Sequence, residues 1–171
     1  MKIEVDKLEE QGGKFSKSYD IGGLSLGETD VRLSAPATAR GQIRRQSGEV
    51  RLSGELHGEV EIPCGRCLKP VKLPLDLEFS ERFVPAVAWR DEDQHELQSE
   101  DLDVSIFGGE VIDLDDLVRE EIMLAVPGHI LCDNDCRGLC PLCGIDRNLS
   151  TCNCNEGQGD SRWDKLKELR M

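Results

Sequence analysis

Residues 50–67 read VRLSGELHGEVEIPCGRC. From Val50 to Ile62, apolar residues and glycines alternate with polar or charged residues without a break. Such alternation predicts a β-strand with one face in a core and the other in water. The strand runs directly into the pair Cys64 and Cys67. The pair is therefore predicted to lie in a turn at the end of a long strand.

Two neighbouring segments, 31–43 and 71–79, show the same alternation. The connectors between the three segments are short, which favours antiparallel hairpins joined into a meander. The Cys64/Cys67 turn then becomes a hairpin tip. Gly54 and Gly58 fall on the apolar face, where glycine indicates a bulge or a close approach by another element.

The rest of the chain completes an α+β fold class. Asp113 precedes an apolar stripe of helical period that ends before Pro127, which predicts a helix at about 113–126 packed on the meander. We expect a sheet domain at 1–130, carrying the Cys64/Cys67 pair, and a cysteine-rich segment at 131–171 that is stapled through its cysteines. The minor elements are predicted to be a β-poor lead-in (1–28), an exposed acidic loop (86–101), a short strand (102–107) and a short terminal helix from Asp160.

The chain holds eight cysteines, six of them in the last forty residues. Its first residues mix both charges and lack the apolar core of a secretory signal, and no window is long and apolar enough for a membrane span. We therefore expect a cytoplasmic protein. Thiols stay reduced in that compartment, which disfavours disulfides and favours metal binding.

Zinc is the leading interpretation of the cysteines, because structural zinc sites use four soft ligands supplied as short-spaced pairs. Cys140 and Cys143, followed by Gly144, form a strong knuckle, and Cys152 with Cys154 supplies a second pair. The remaining four also make a set, so one or two zinc ions are expected. These four are Cys64, Cys67, Cys132 and Cys136.

Other chemistry is possible for these cysteines but fits less well. The spacing of Cys136, Cys140 and Cys143 matches the iron–sulfur triad of radical SAM enzymes, yet such enzymes need a barrel of about 200 residues or more. Thiolates also accept iron–sulfur clusters adventitiously. A redox role for Cys64 and Cys67 would want the pair to open a helix in a βαβ unit. His129, three residues before Cys132, is a conceivable substitute ligand.

The net charge of −13 is unevenly distributed. Residues 73–125 carry sixteen acidic and three basic residues, whereas residues 40–72 carry seven basic and four acidic residues. The acidic field favours a basic protein partner, while the basic stretch could contact RNA locally. We find no nucleophile–base set and no phosphate-binding glycine loop, so no enzyme and no small-molecule substrate are expected.

Three separate segments, 54–68, 112–127 and 131–144, resemble the signature of the YceD family. The resemblance implies a non-enzymatic factor required for accumulation of 23S ribosomal RNA, and hence for assembly of the large ribosomal subunit. It also implies large-subunit rRNA or a small basic ribosomal protein as partner. The long C-terminal cysteine run is similar to the cysteine-rich branch of the family, since other members lose several of these residues.

Carried over by position, the residues expected to serve the shared role are Cys64, Arg66 and Cys67. Candidate contacts to RNA or a partner are Arg66, Lys69, Arg44 and Arg45. Two alternatives stay open at this point: a zinc-dependent protein adaptor outside the ribosome, for example at transcription, and a thiol redox or metal-handling protein.

Overall fold

The structure, a computed structural model, describes residues 1–8, 12–27, 30–87, 104–108 and 110–154. The chain divides into two compact units. The first comprises Met1–Ile62 and Lys72–Gly128, and the second Pro63–Val71 and His129–Met171. The predicted terminal helix, and nearly all of the predicted acidic loop, lie outside the described residues.

A five-stranded sheet and a two-stranded sheet account for the described strands. The larger sheet has the order β2-β3-β4-β5-β6, and the smaller pairs β1 with β7 in antiparallel fashion. The strands are β1 (Lys2–Glu4), β2 (Gly13–Tyr19), β3 (Arg32–Gln46), β4 (Glu49–Pro63), β5 (Pro70–Pro85), β6 (Val104–Phe107) and β7 (Val111–Asp113). A 3-10 turn at Val5–Lys7 and helix α1 (Leu114–Ala125) complete the described elements.

The predicted β3–β4 hairpin is confirmed. Ser47 and Gly48, its two turn residues, have φ of 54° and 87°, the left-handed conformation that matches the twist of a two-residue hairpin. Along β4 the predicted core face is buried and its neighbours are not. The buried residues are Val50, Leu52, Leu56, Val60 and Ile62.

The inner-face glycines also behave as predicted. Gly41 of β3 pairs directly with Gly54 of β4. A Cβ at Gly54 would lie 2.4 Å from the Arg40 carbonyl oxygen and 2.9 Å from the Phe79 ring, so only glycine fits there. An irregularity in β3 between Leu33 and Thr38 supplies the bulge.

Helix α1 is capped as the sequence predicts. The Asp113 carboxylate accepts a hydrogen bond from the Asp115 N–H at 3.0 Å. The buried stripe consists of Leu114, Leu117, Val118 and Ile122. None of the helices in the described part of the chain is long and apolar enough to cross a membrane.

The prediction that residues 1–28 are poor in β-structure is wrong. β2 pairs with β3 over its full length, from Gly13 opposite Ile43 to Tyr19 opposite Ala37. Its inner face reads Phe15, Lys17, Tyr19, and the central lysine hides the apolar period. That lysine is tolerated because its ammonium group pairs with Asp115 of α1.

The α+β fold class is confirmed, with one addition. β6 lies parallel to β5, with Arg82 opposite Val104, so the larger sheet is mixed at this edge. The segment between these strands is long, as a parallel connection requires.

Candidate metal centres

The first cysteine tetrad lies in the second unit and consists of Cys64, Cys67, Cys132 and Cys136. Cys64 and Cys67 stand in the connector between β4 and β5, as predicted. The sulfurs of Cys64 and Cys136 are 3.9 Å apart, those of Cys67 and Cys132 are 3.4 Å apart, and all four lie within 4.8 Å of one another. Three of the four side chains are buried; Cys132 is exposed.

The second tetrad, in the same unit, consists of Cys140, Cys143, Cys152 and Cys154. Its four sulfurs also lie within 4.8 Å of one another. Cys140 is buried and Cys143 is exposed. The second tetrad is the set that its short-spaced pairs suggested, and the first consists of the four cysteines that were left. His129 is exposed and belongs to neither set.

The two Cys-x2-Cys turns have the same backbone hydrogen bonds. In the first, Leu68 N–H donates to the Cys64 carbonyl at 3.0 Å and Cys64 N–H to the Lys69 carbonyl at 2.8 Å. In the second, Gly144 N–H donates to the Cys140 carbonyl at 2.8 Å, and Cys140 N–H donates to the Ile145 carbonyl, also at 2.8 Å. The chain therefore builds one knuckle geometry twice.

This geometry requires a left-handed residue directly after the second cysteine. Gly144 fills that position with φ of 73° and Leu68 with φ of 61°. Glycine adopts this conformation freely, whereas leucine is strained in it. Only the second knuckle has a glycine at this position, so the equivalence of the two turns was not predicted.

The sulfur spacing fits a tetrahedral thiolate site. With a Zn–S bond of about 2.3 Å, the sulfurs of a tetrahedron are about 3.8 Å apart, since the edge is about 1.6 times the bond. The separations of 3.4 and 3.9 Å bracket that value. A disulfide needs about 2.05 Å, and all eight cysteines are free thiols.

The leading cysteine of each knuckle is favoured as a thiolate. The pKa of Cys64 is lowered to about 6 by the backbone N–H groups of Arg66 and Cys67, which point at its sulfur. The pKa of Cys140 is lowered to about 6 by the N–H groups of Cys143 and Leu142. These amides compensate negative charge on sulfur, as metal-bound thiolates require.

Another thiol in each tetrad has its pKa shifted in the opposite direction. Hydrogen bonds to the sulfurs of Cys67 and Cys136 keep the proton on Cys132 and raise its pKa to about 12. A hydrogen bond to the Cys143 sulfur, followed by burial, raises the pKa of Cys154 to about 12. Four thiolates repel one another unless a cation lies among them. Each tetrad thus has the donor set and the charge conflict that a divalent metal ion would resolve.

Hydrogen bonds from the second-tetrad loop reach the first tetrad. The Asn148 side-chain amide donates to the Cys136 sulfur at 3.4 Å, and its carbonyl oxygen accepts from Arg137 N–H at 2.7 Å. Asp146 holds that amide at 2.8 Å and pairs with Lys69 at 2.8 Å. Lys69 is the main cause of the lowered pKa of Asp146. Sequence reasoning missed Asn148 and Asp146, because polar residues in a loop give no distinctive pattern.

The knuckle at 63–71 was assigned to the sheet domain from the sequence, but it groups with the cysteine-rich segment. Gly65 N–H donates to the Ile130 carbonyl at 2.8 Å, and Leu139 N–H donates to the Arg66 carbonyl at 3.0 Å. Gly138, with φ of 72°, approaches so closely that a Cβ would lie 2.9 Å from that Arg66 oxygen. These bonds and the shared tetrad explain the grouping.

The four cations predicted to contact RNA or a partner have different surroundings. The guanidinium of Arg66 donates to the Cys136 carbonyl at 2.8 Å, and Lys69 pairs with Asp146. In the first unit, Arg45 donates to the Val5 carbonyl at 3.2 Å, whereas exposed Arg44 donates to the Gln42 amide oxygen at 3.2 Å.

The sequence profile described as large ribosomal RNA subunit accumulation protein YceD matches residues 52–170. The chain belongs to the YceD family. The match includes both tetrads in full.

Individual YceD relatives align over most of the chain. It is 31% identical to Rv2926c of Mycobacterium tuberculosis H37Rv, over 99% of this chain and 81% of the relative. It is 26% identical to YlbN of Bacillus subtilis 168, over 97% and 92%. It is 24% identical to a chloroplastic large ribosomal RNA subunit accumulation protein, YCED homolog 1 of maize, over 81% and 56%. No solved structure matches the chain significantly.

Proposed function

We propose that this protein is a non-enzymatic, cytoplasmic factor in large-subunit biogenesis that is needed for 23S rRNA accumulation. The observation that carries the proposal is the family match, which runs from Leu52 in β4 through the first knuckle and both tetrads. The maize relative is named for the accumulation of large ribosomal subunit RNA. The protein would act by binding rRNA, a basic ribosomal protein, or both.

We propose that each tetrad holds one zinc ion, and that the ion is structural. Four thiolates complete a tetrahedron and leave no open position for water or substrate, as in closed zinc sites. The first ion would join the β4–β5 connector to the segment around Cys132 and Cys136, and the second would close the loop from Cys140 to Cys154. When bound, the metal supplies folding free energy to a unit whose buried side chains, among the described residues, are four cysteines.

The acidic surface supports a basic protein as one partner. A net charge of −13 attracts such a protein and repels bulk RNA. RNA contact therefore needs a local group of cations, for which Arg66, Lys69, Arg44 and Arg45 are the sequence-derived candidates. Arg66 and Lys69 stand beside the first tetrad, so the metal would fix their position.

The experiment that tests the proposal is depletion of the protein in its own host. Total RNA gives the 23S to 16S ratio, and a sucrose gradient gives the subunit profile. We expect 23S rRNA and large subunits to fall selectively and to return with a plasmid copy. Unchanged ratios after complete depletion would overturn the proposal and favour an adaptor role outside the ribosome.

A further inference from the structure

On the solvent-facing side of the larger sheet, the register places three cations side by side. Arg44 of β3 lies directly opposite Arg51 of β4, and Lys14 of β2 lies opposite Gln42, two residues from Arg44. All three cations are exposed. We call Lys14, Arg44 and Arg51 the basic strip; it belongs entirely to the first unit.

The strip differs from the other charges on this face. Arg40 pairs with Glu55 at 3.1 Å and Lys72 with Glu59 at 3.1 Å. No carboxylate of the described residues forms an ion pair with a strip residue. Glu49, the next acidic residue along β4, is directed towards Arg82 at 3.8 Å.

Two like charges directly opposite each other across antiparallel strands are destabilising. Arg44 and Arg51 are such a pair, in a chain that has thirteen more acidic than basic residues. The fold therefore maintains a local repulsion that a mixed pair would remove. An anion placed between the two guanidinium groups would turn this repulsion into attraction.

The surroundings of the strip fit a chain of phosphates. Neighbouring strands are about 4.8 Å apart and residues two positions along a strand about 6.8 Å apart, so the three cations form a row rather than a single pocket. Gln42 and Ser53, paired in register, place an amide and a hydroxyl beside them. Together with Lys14, these two line one part of a groove of about 1070 Å³ that crosses β2 to β5; the paired Arg40 and Glu55, and Glu78, line another part.

We propose that the basic strip binds the phosphodiester backbone of RNA. Arginine, lysine, serine and glutamine are the usual side-chain partners of phosphate and sugar. The strip carries no aromatic side chain on which a base could stack, so its contacts position RNA without reading sequence. The proposal rests on the proposed function, because it names RNA as the partner of this face.

The test is the salt dependence of binding between the full, metal-loaded protein and a transcribed 23S rRNA fragment. Neutralising a phosphate contact lowers the slope of log K against log salt by about 0.7 on single-stranded nucleic acid. We expect the double variant Arg44→Gln, Arg51→Gln to lose about 1.4 from the slope. Addition of Lys14→Gln should lower the slope further.

A matched control is the double variant Arg40→Gln, Lys72→Gln. It removes the same charge from the same face, but from cations already paired with glutamates. We expect its slope to stay close to wild type. An equal loss of slope in both double variants would overturn the proposal, and so would an absence of RNA binding by the wild type. A strip variant that lost binding to an acidic protein but kept its binding to RNA would also overturn it.

Thermal unfolding separates lost contacts from lost folding. The strip variant removes a repulsion, so its Tm should equal or exceed that of the wild type. The Tm of the control variant should not rise. In the depletion strain, full rescue by the strip variant would overturn this proposal and leave the proposed function standing. If depletion leaves 23S rRNA unchanged, the proposed function fails, and the salt slopes still decide whether the strip binds RNA.

Discussion

The side-chain amide of Asn148 donates a hydrogen bond to the sulfur of Cys136 at 3.4 Å, although Asn148 belongs to the loop between Cys143 and Cys152. A residue in the loop that the second tetrad closes thus stabilises a ligand of the first tetrad. Hydrogen bonds to metal-bound thiolates orient the ligand and compensate its charge, and their loss commonly costs 10–100-fold in metal affinity.

Asn148→Ala should therefore weaken metal retention at the first tetrad by about tenfold or more. In the Asn148→Ala protein, one of the two zinc ions should pass to a chelator faster than in the wild type, and the other should leave at nearly the wild-type rate. A colorimetric indicator follows both. Asn134→Ala is a suitable control, since Asn134 is exposed between Cys132 and Cys136 and no hydrogen bond of its side chain is described. Equal release from both variants would contradict a specific role for Asn148.

Leu68 and Gly144 occupy the same left-handed position in two equivalent knuckles, which allows a reciprocal test. Leu68 is 64% exposed, so little packing is lost when it is replaced. Leu68→Gly should leave stability unchanged or raise it by up to about 1 kcal/mol, and Gly144→Ala should lower it by about 1 kcal/mol. Urea unfolding with zinc present measures both. A large loss in the Leu68 variant would show that the leucine side chain is needed.

The close approach at Gly54 predicts a strong response to a single methyl group. Gly54→Ala places a Cβ against backbone and against the Phe79 ring, and should destabilise the protein by about 1–3 kcal/mol. Gly108→Ala meets nothing within 4 Å and should change stability by less than about 0.5 kcal/mol. Denaturant midpoints of the two variants check the difference. Similar midpoints would mean that β3 and β4 can separate at no cost.

The contacts of the Asp115 carboxylate form an acid-sensitive link between β2 and α1. Burial opposes its ionisation, but Lys17, the terminal amine and Tyr19 donate to it and hold its pKa at about 2. Because the folded pKa lies below the unfolded value of about 3.9, this stabilisation is fully present above pH 4 and is lost as pH falls towards 2.

Asp115→Asn should accordingly lower stability at pH 7 by about 1–3 kcal/mol and flatten its dependence on pH between 4 and 2. Asp113→Asn is the matched control, because asparagine is an equally good helix cap. Urea midpoints across this pH range are the measurement. A wild-type stability that stays constant from pH 4 to 2 would contradict the assigned role of Asp115.

Much of the fold follows from the sequence where a simple period dominates. The alternation along β4 and the stripe of α1 identified their buried residues, because burial of apolar groups on one face is the main force on such segments. β2 was missed because Lys17 stands on its inner face. Its partner, Asp115, is 98 residues away along the chain, and no local pattern reveals that pairing.

The second tetrad could be grouped from its short-spaced pairs, and the first then followed as the four cysteines that were left. The groups around them were not predicted. Arg44 and Arg45 looked equivalent in the sequence, but adjacent strand residues point to opposite faces. Arg45 therefore donates to the Val5 carbonyl, while Arg44 faces solvent opposite Arg51.

Metal content tests the central claim of two structural zinc sites most directly. Protein purified without chelator should contain about two zinc ions per chain by elemental analysis, with few thiols open to reagent. Cys64→Ser and Cys140→Ser should each lower the count by about one. Protein that is folded, metal-free and reactive at all eight thiols would contradict the account.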